Sequence, residues 1–282
     1  MNAWRARVRR RELARSRPHL STAALTAALD ALPIPRESVV LVHSSLKSLG
    51  FVEGGADGVV TALIASIVTA RGGTLMLPSY SIDGRMLDTL ASGRAFDART
   101  TASNLGAIPE AFRRHPGVLR SCHPTHSFAA IGPRAHWLLD GHHLAATSFG
   151  EGTPLARLRE TDSRLLGLGS DIGHVTYYHC LEDIEPFPFE VYAPGIHAVE
   201  CIDFDGVSHT LRLRGHAGGA FACRRIDHPD NAALRMRFTA ALEQEAGLTW
   251  HQVGSARCWL VDGRSMYQTI KDLLYRGVTI YA

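Results

Sequence analysis

Lysine is nearly absent: Lys47 and Lys271 are the only two in 282 residues, and positive charge falls almost wholly to arginine. That bias reads as codon usage before function. An excess of either charge is also missing. A net charge of +3 excludes the strong basic field of a nucleic-acid binder. Cysteine is sparse, with five residues at wide spacing and no C-x-x-C pair. An odd, scattered set argues against a disulfide framework and for a reducing cytoplasm. No long hydrophobic run exists. The longest apolar-rich stretch, 59–70, is interrupted by Thr61, Ser66 and Thr69, and is too short for a bilayer, so no membrane partner is expected. The arginine-rich start, MNAWRARVRRRELARSR, has no apolar segment behind it, so it lacks the signal-peptide pattern. Residues 1–19 read as an extended basic leader or an exposed helix with a solvated arginine face. Neither G-x-x-x-x-G-K-[ST] nor G-x-G-x-x-G occurs, which leaves ATP and NAD unsupported; H-E-x-x-H is missing too. Without repeats, low-complexity segments or a linker, residues 1–282 read as one domain.

What is present is ordinary globular composition, 45% hydrophobic and 20% charged, in a chain long enough to bury a large core. Ser21 and Thr22 precede leucines at helical spacing, predicting a helix over 23–32 that Pro33 and Pro35 end. The β-branched run 38–43 reads as a buried strand, followed by a loop with Gly50, Gly54 and Gly55. Asp57 is expected to cap a helix reaching residue 70, and 74–78 is a second strand. Such a unit predicts a parallel pair with a right-handed crossover. Residues 79–101 lack periodicity and read as a loop beside a site. Further on, helices are expected over 108–114, 133–139, 176–184, 231–246 and 265–274, and strands over 127–131, 165–168 and 256–261. Alternation over 198–204 and 208–213 suggests an antiparallel addition. The alternation of strands and helices gives an α/β class.

Four motifs could carry chemistry. HSSL at 43–46 follows a strand and precedes glycines, where hydroxyls and backbone amides can meet phosphate or carbonyl oxygens; a capped turn explains it equally. In RSCHPTHSF, His123 and His126 lie three apart near Cys122, but Pro124 breaks any shared helical face. GHHL at 141–144 reads as a turn with two exposed histidines. In TYYHCLE, His179 and Glu182 share a helical face. A carboxylate raises an imidazole's basicity and fixes its tautomer, which suits a general base. A surface ion pair is the plainer alternative.

Taken in order, these segments resemble the aminoglycoside 3-N-acetyltransferase family. The resemblance runs through LVHSSLKSLG, VEGGADGVVTALIASI, GGTLMLPSYS, FDARTTASNLGAIPEAFRRHPGVLRSCHPTHSFAAIGPRA, GHHLAATSFGEGTPLARL and LLGLGSDIGHVTYYHCLED, and returns at GSARCWLVDGRSMYQTIKDLL. It implies a mixed central sheet with flanking helices, the fold of that family, and direct transfer from acetyl-CoA to an amine, the 3-amino group of a 2-deoxystreptamine ring, with no metal. It implies that Ser44, Ser45, Leu46, Lys47 and Thr176 contact the coenzyme. His142, His179, Glu182 and His126 become the catalytic candidates, and Asp171, Glu182 and Asp183 would attract a cationic acceptor. The enzyme would act as a monomer or homodimer.

Segment 186–225 departs from what a polycationic acceptor wants: Glu190, Glu200, Asp203 and Asp205 are scattered, without an acidic cluster. Another amine from natural-product metabolism therefore remains an alternative acceptor. Two other classes compete: a metal-dependent hydrolase built on His123, His126, His142 and His179, and a non-catalytic binding module.

Overall fold

The computed structural model describes residues 19–282; all but the last residue of the expected basic leader lies outside them. Strand β1 (His19–Leu20) leads into helix α1 (Thr22–Asp30). Ser21 caps α1 by accepting from the Ala24 N–H at 3.1 Å, a contact worth about 1 kcal/mol. Next come β2 (Val39–Ser44), β3 (Phe51–Val52), α2 (Ala56–Leu63) and β4 (Thr74–Pro78). The α-helix expected to reach residue 70 changes character at Ile64–Thr69. There it widens to π spacing, with the Ala70 N–H on the Ala65 carbonyl at 2.9 Å. Gly55, with φ +61°, is the N-cap instead of Asp57; Asp57 sits in the first turn, where its charge suits the helix dipole.

The expected loop over 79–101 contains helix α3 (Met86–Ala91) and strand β5 (Phe96–Asp97). Both depend on distant partners: β5 pairs in parallel with residues 201–202, and Met86, Leu90 and Phe96 bury with Val199 and Leu211. Helix α4 (Ala107–Arg113), strands β6 (Leu119–Arg120) and β7 (Phe128–Ile131), helix α5 (Ala135–Leu139) and strand β8 (Ser163–Leu168) follow. The helix expected over 176–184 is a 3-10 turn, Thr176–His179, continuing into α6 (Cys180–Ile184). The antiparallel addition is a hairpin of β9 (His197–Ile202) and β10 (Ser208–Leu213). Helices α7 (Gly218–Phe221) and α8 (Ala232–Glu245), strands β11 (Thr249–Val253) and β12 (Ala256–Asp262), and helix α9 (Gly263–Tyr275) complete the described chain.

The main sheet has seven strands in the order β11-β12-β8-β2-β4-β7-β6. Strand β2 runs parallel to both β4 and β8, while the remaining pairings are antiparallel. Period-two alternation splits the core between the two faces. Val39, Leu41, Met76, Leu165 and Trp259 pack on one side; Val40, Val42, Leu75, Leu77 and Leu166 pack on the other. Helices cover both faces, which is why the parallel strands read as unbroken apolar runs. One close approach fixes a glycine. A Cβ on Gly167 would lie 2.0 Å from the indole of its pairing partner Trp259, and that indole donates to the Ser170 carbonyl at 2.8 Å. Among the described residues no helix is long and apolar enough to cross a membrane.

The carboxyl ends of β2, β4 and β8 lie on the same side of the sheet, because these three strands are parallel. Open α/β sheets bind ligands beyond such ends.

Candidate active site

A cavity of about 420 Å³ opens there. Its walls include His43 and Ser44 from the end of β2, Pro78 from the end of β4, Ser170 just past β8, and Thr176 and Tyr178 from the 3-10 turn. Burial pushes the His43 imidazole down to about 4, assisted by the nearby His174, so His43 is neutral at pH 7. His43 Nε2, Ser44 Oγ and Tyr178 Oη are buried without a hydrogen-bond partner in the protein. Stranded polar atoms of this kind cost about 1–3 kcal/mol each, and a ligand with carbonyl and amide groups would satisfy them.

Toward the surface, Ser170 is shared with a groove that also holds Arg235, Trp250 and Arg257. The Arg257 guanidinium lies 3.6 Å over the Trp250 ring. Ser48 and Ser255 belong both to this groove and to a depression bordered by Lys47. Ser45 holds the turn there: its N–H donates to the Leu168 carbonyl at 3.0 Å and its hydroxyl accepts from Ser48 at 2.9 Å. Leu46 packs into the apolar core beneath. Thus Ser44 and Thr176 line the cavity, Lys47 borders the depression that adjoins the outer groove, and Ser45 and Leu46 support the turn between.

His179 and Glu182 meet as their three-residue spacing predicts. His179 Nδ1 lies 2.9 Å from Glu182 Oε2. A carboxylate only accepts, so Nδ1 carries a proton and Nε2 is the nitrogen turned away from Glu182. Burial alone would push the Glu182 carboxyl up; His179 and His216 outweigh it and hold it well below the usual carboxylate range. Its side chain is 0% exposed. Two of its partners were invisible in the sequence. Tyr281 donates to Oε1 at 2.6 Å. His216 Nε2 lies 2.9 Å from Oε2, without the alignment of a full hydrogen bond. No local pattern signals either contact, since both close long loops.

A second cavity, of about 390 Å³, lies beyond this cluster and is lined by Arg85, His216, Gly218 and Tyr281 among others. His126, Phe149, His179 and Arg225 line both cavities. These side chains form a common wall: Phe149 stacks on His179 at 5.4 Å and meets His126 edge-on at 4.7 Å. Arg225 is held by both oxygens of Asp227, at 2.7 and 2.5 Å. Burial, with the charges of His216 and His179, pushes His126 well below its ordinary value.

The other histidines have different surroundings. His123 Nδ1 accepts from the backbone N–H groups of Thr125 and His126, at 3.3 and 3.0 Å, so its proton sits on Nε2, which faces Ser148 Oγ at 3.3 Å. His142 stacks on His123 at 4.7 Å. Ser121 Oγ accepts from the Phe128 N–H and faces His142 Nδ1 at 2.9 Å. The expectation of two exposed histidines in GHHL is therefore corrected. His142 is 1% exposed, turned inward by a 3-10 turn after Gly141 at φ +70°. Burial pushes it down to about 3, and it lines neither cavity.

The four-histidine metal set does not converge, because His123 and His142 spend their nitrogens on serines and backbone. The set with ligating atoms within 4.8 Å of one another is His179, Glu182 and His216. Both N···O separations of 2.9 Å are hydrogen-bond distances, below the roughly 3.3 Å between ligand atoms around a tetrahedral zinc.

Of the three carboxylates proposed for an acceptor, none presents open oxygens to the second cavity. Glu182 is enclosed by its partners. Asp183 accepts from Tyr192 Oη at 2.5 Å and the Phe149 N–H at 2.9 Å, and burial raises its pKa. Asp171 caps a turn by accepting from the Gly173 N–H at 2.7 Å and borders the outer groove.

The fold thus presents a carboxylate-held imidazole on the common wall of two cavities beyond the carboxyl ends of its parallel strands. The relatives of the chain say to which enzyme class it belongs. Residues 41–275 match the family model described as aminoglycoside 3-N-acetyltransferase, and the chain belongs to that enzyme family. It is 34% identical over 276 residues to aminoglycoside N(3)-acetyltransferase III of a Salmonella species, covering 91% of this chain and 89% of that one. It is 35% identical over 182 residues to the SPbeta prophage-derived aminoglycoside N(3')-acetyltransferase-like protein YokD of Bacillus subtilis, where the match covers 58% of this chain and 65% of that protein's length. The crystal structure of YokD superposes with a TM-score of 0.75 at 26% identity, over 94% of this chain and 97% of that one. A complex of a mutant AAC(3)-IVa with a gentamicin gives 0.71 at 27% identity, over 92% and 90%. The AAC-IIIb binary structure with CoASH shares the fold, with a TM-score of 0.75 at 22% identity over 93% and 98%.

Proposed function

We propose that this chain is a single-domain, acetyl-CoA-dependent N-acetyltransferase. It transfers acetyl directly to the 3-amino group of a 2-deoxystreptamine aminoglycoside, with His179 as general base. The observation that carries the proposal is His179 itself: the carboxylate-held imidazole stands on the wall common to two cavities. One chamber then takes the thioester and the other the amine. Bringing the two reactants together in line supplies much of the rate.

The first cavity suits the coenzyme arm. Its stranded donors and acceptors, His43 Nε2, Ser44 Oγ and Tyr178 Oη, match amide and carbonyl groups. Arg257 in the outer groove and Lys47 in the adjoining depression match its phosphates. When bound, acetyl-CoA supplies the activated acetyl group. Ser44 Oγ and Thr176 Oγ1 are hydroxyls able to stabilise negative charge on the thioester oxygen. His179 Nε2 takes a proton from the amine while Glu182 stabilises the resulting imidazolium. His126, on the same wall, orients the reacting groups. The family membership, the CoASH-bound fold neighbour and the gentamicin-bound neighbour support the substrate pair.

A second acceptor reading has its own support. The cationic side chains of the acceptor cavity, Arg85 and Arg225, are each paired to an aspartate, and no open carboxylate faces it among the described residues. A less highly charged amine from natural-product metabolism fits that lining better than a polycation does.

Thiol release from acetyl-CoA, followed with gentamicin, sisomicin and simple monoamines, tests both. Release that needs an aminoglycoside and disappears in His179→Gln supports the first reading. Release with monoamines alone moves the acceptor to the second. Protein that neither binds acetyl-CoA nor releases thiol ends both.

A further inference from the structure

Acylating an ammonium group is a two-proton problem. Nitrogen must lose one proton to expose its lone pair. It loses a second after the C–N bond forms, as the C–S bond breaks and its electron pair leaves with sulfur. Sulfur takes one proton and solvent receives the other. A single base at the common wall must do both tasks or leave the first to bulk water.

We propose that His216 is a second catalytic base, which deprotonates the incoming ammonium group in the acceptor cavity before His179 acts. The assignment rests on the acyl-transfer reading above. His216 and His179 are gathered on one oxygen, Glu182 Oε2, each at 2.9 Å, and their rings stand 5.6 Å apart at 75°. Both line the acceptor cavity, yet His216 does not line the coenzyme cavity. That asymmetry separates the roles. His179 can reach both the amine and the departing sulfur, whereas His216 meets the amine alone and passes its proton outward. With Nε2 turned to the carboxylate, Nδ1 is the nitrogen left to accept.

His216 is built into place. Its backbone N–H contacts Met86 Sδ at 3.4 Å, it bridges Tyr192 in an antiparallel pair, and its ring lies 4.8 Å from that of Tyr192. A Cβ on the preceding Gly215 would fall 2.4 Å from Leu87, whose side chain would have to shift to admit it. The titratable and charged groups around His216 are Glu182, His179, His126, Arg225, Arg85 and Tyr192, with Asp183 and Arg214 beyond Tyr192 and Tyr281 beyond Glu182.

The test compares pH profiles of kcat/KM for the wild type, His216→Gln and His179→Gln, using acetyl-CoA with sisomicin and with a simple monoamine. His216→Gln should lose roughly a hundredfold at pH 7. Its acid limb should move up toward the pKa of the acceptor's own ammonium group, with activity recovering above it. Added imidazole should restore His216→Ala at pH 7. His179→Gln should stay inactive at every pH. Acetyl-CoA affinity, which should be unchanged in His216→Gln, certifies that the variant is folded. A folded His216→Gln with an unshifted profile, or with an equal loss at all pH values, overturns the assignment while leaving acyl transfer intact. A wild type that acylates none of these amines overturns the transfer reading and this assignment with it.

Discussion

Tyr281 and Glu182, 99 residues apart, meet in a 2.6 Å hydrogen bond in which the tyrosine hydroxyl donates to Oε1. Its neighbours hold the tyrosine there: the Ile226 N–H donates to the Ile280 carbonyl at 2.8 Å and the Ala282 N–H to the Arg224 carbonyl at 2.7 Å. Tyr281 thus closes the side of the carboxylate that neither imidazole covers. In the proposed reaction it acts through Glu182 as a positioning residue. Tyr281→Phe should lower kcat by about tenfold with little change in KM and cost about 1.5–3 kcal/mol in stability, as a bond to a charged acceptor is lost. Steady-state kinetics beside thermal melts separate the effects. An unchanged kcat would reduce Tyr281 to a packing role.

Arg257 lies over Trp250 at the outer groove, far from the reacting groups. Arg257→Ala should raise KM for acetyl-CoA by about tenfold and leave kcat in place, the mark of lost uniform binding. The difference from wild type should shrink as salt screens the phosphates. A fall in kcat with unchanged KM would contradict the phosphate assignment.

Gly167 leaves the room that the Trp259 indole fills. Gly167→Ala puts a methyl group 2.0 Å from that ring, which neither the paired strand backbone nor the buried indole can evade. Loss of about 3 kcal/mol or more is expected, read as a lowered melting temperature. Gly167→Ala with Trp259→Leu should recover part of it. Full stability in the single variant would mean that the indole can repack.

His43, His123 and His142 are buried and neutral, held below their ordinary value chiefly by burial. Their depressed folded-state pKa values mean that the unfolded chain binds more protons as pH falls. Stability is full above about 6.5, the unfolded imidazole value, and drains away as pH falls toward the folded values, about 4 for His43 and about 3 for His142. With His126, held down in the same way, these residues should together cost roughly 5 kcal/mol between pH 7.5 and 5.5. Urea denaturation at the two pH values measures it. A flat response would mean that these imidazoles take up protons in the folded state.

Local chemistry was legible in the residues. The apolar runs of β2, β4 and β8 named a buried parallel core because both faces of each strand are covered. The three-residue spacing of His179 and Glu182 named their contact because adjacent helical turns set it. The motif order from LVHSSLKSLG onward named the family. Where reading failed, the cause was distance. Strand β5 exists because residues 201–202 are there to pair with it, and α3 because Val199 and Leu211 lie beneath it. Their own segment carries too few apolar residues to announce either.

The α/β class and the pairing of His179 with Glu182 were therefore written in the chain, since each depends on residues a few positions apart. Only on folding does His142 turn inward, do His216 and Tyr281 join Glu182, and do two cavities meet at His126, Phe149, His179 and Arg225. Those outcomes depend on which distant side chains compete to satisfy a buried charge or fill a buried volume, and local periodicity carries no record of that competition.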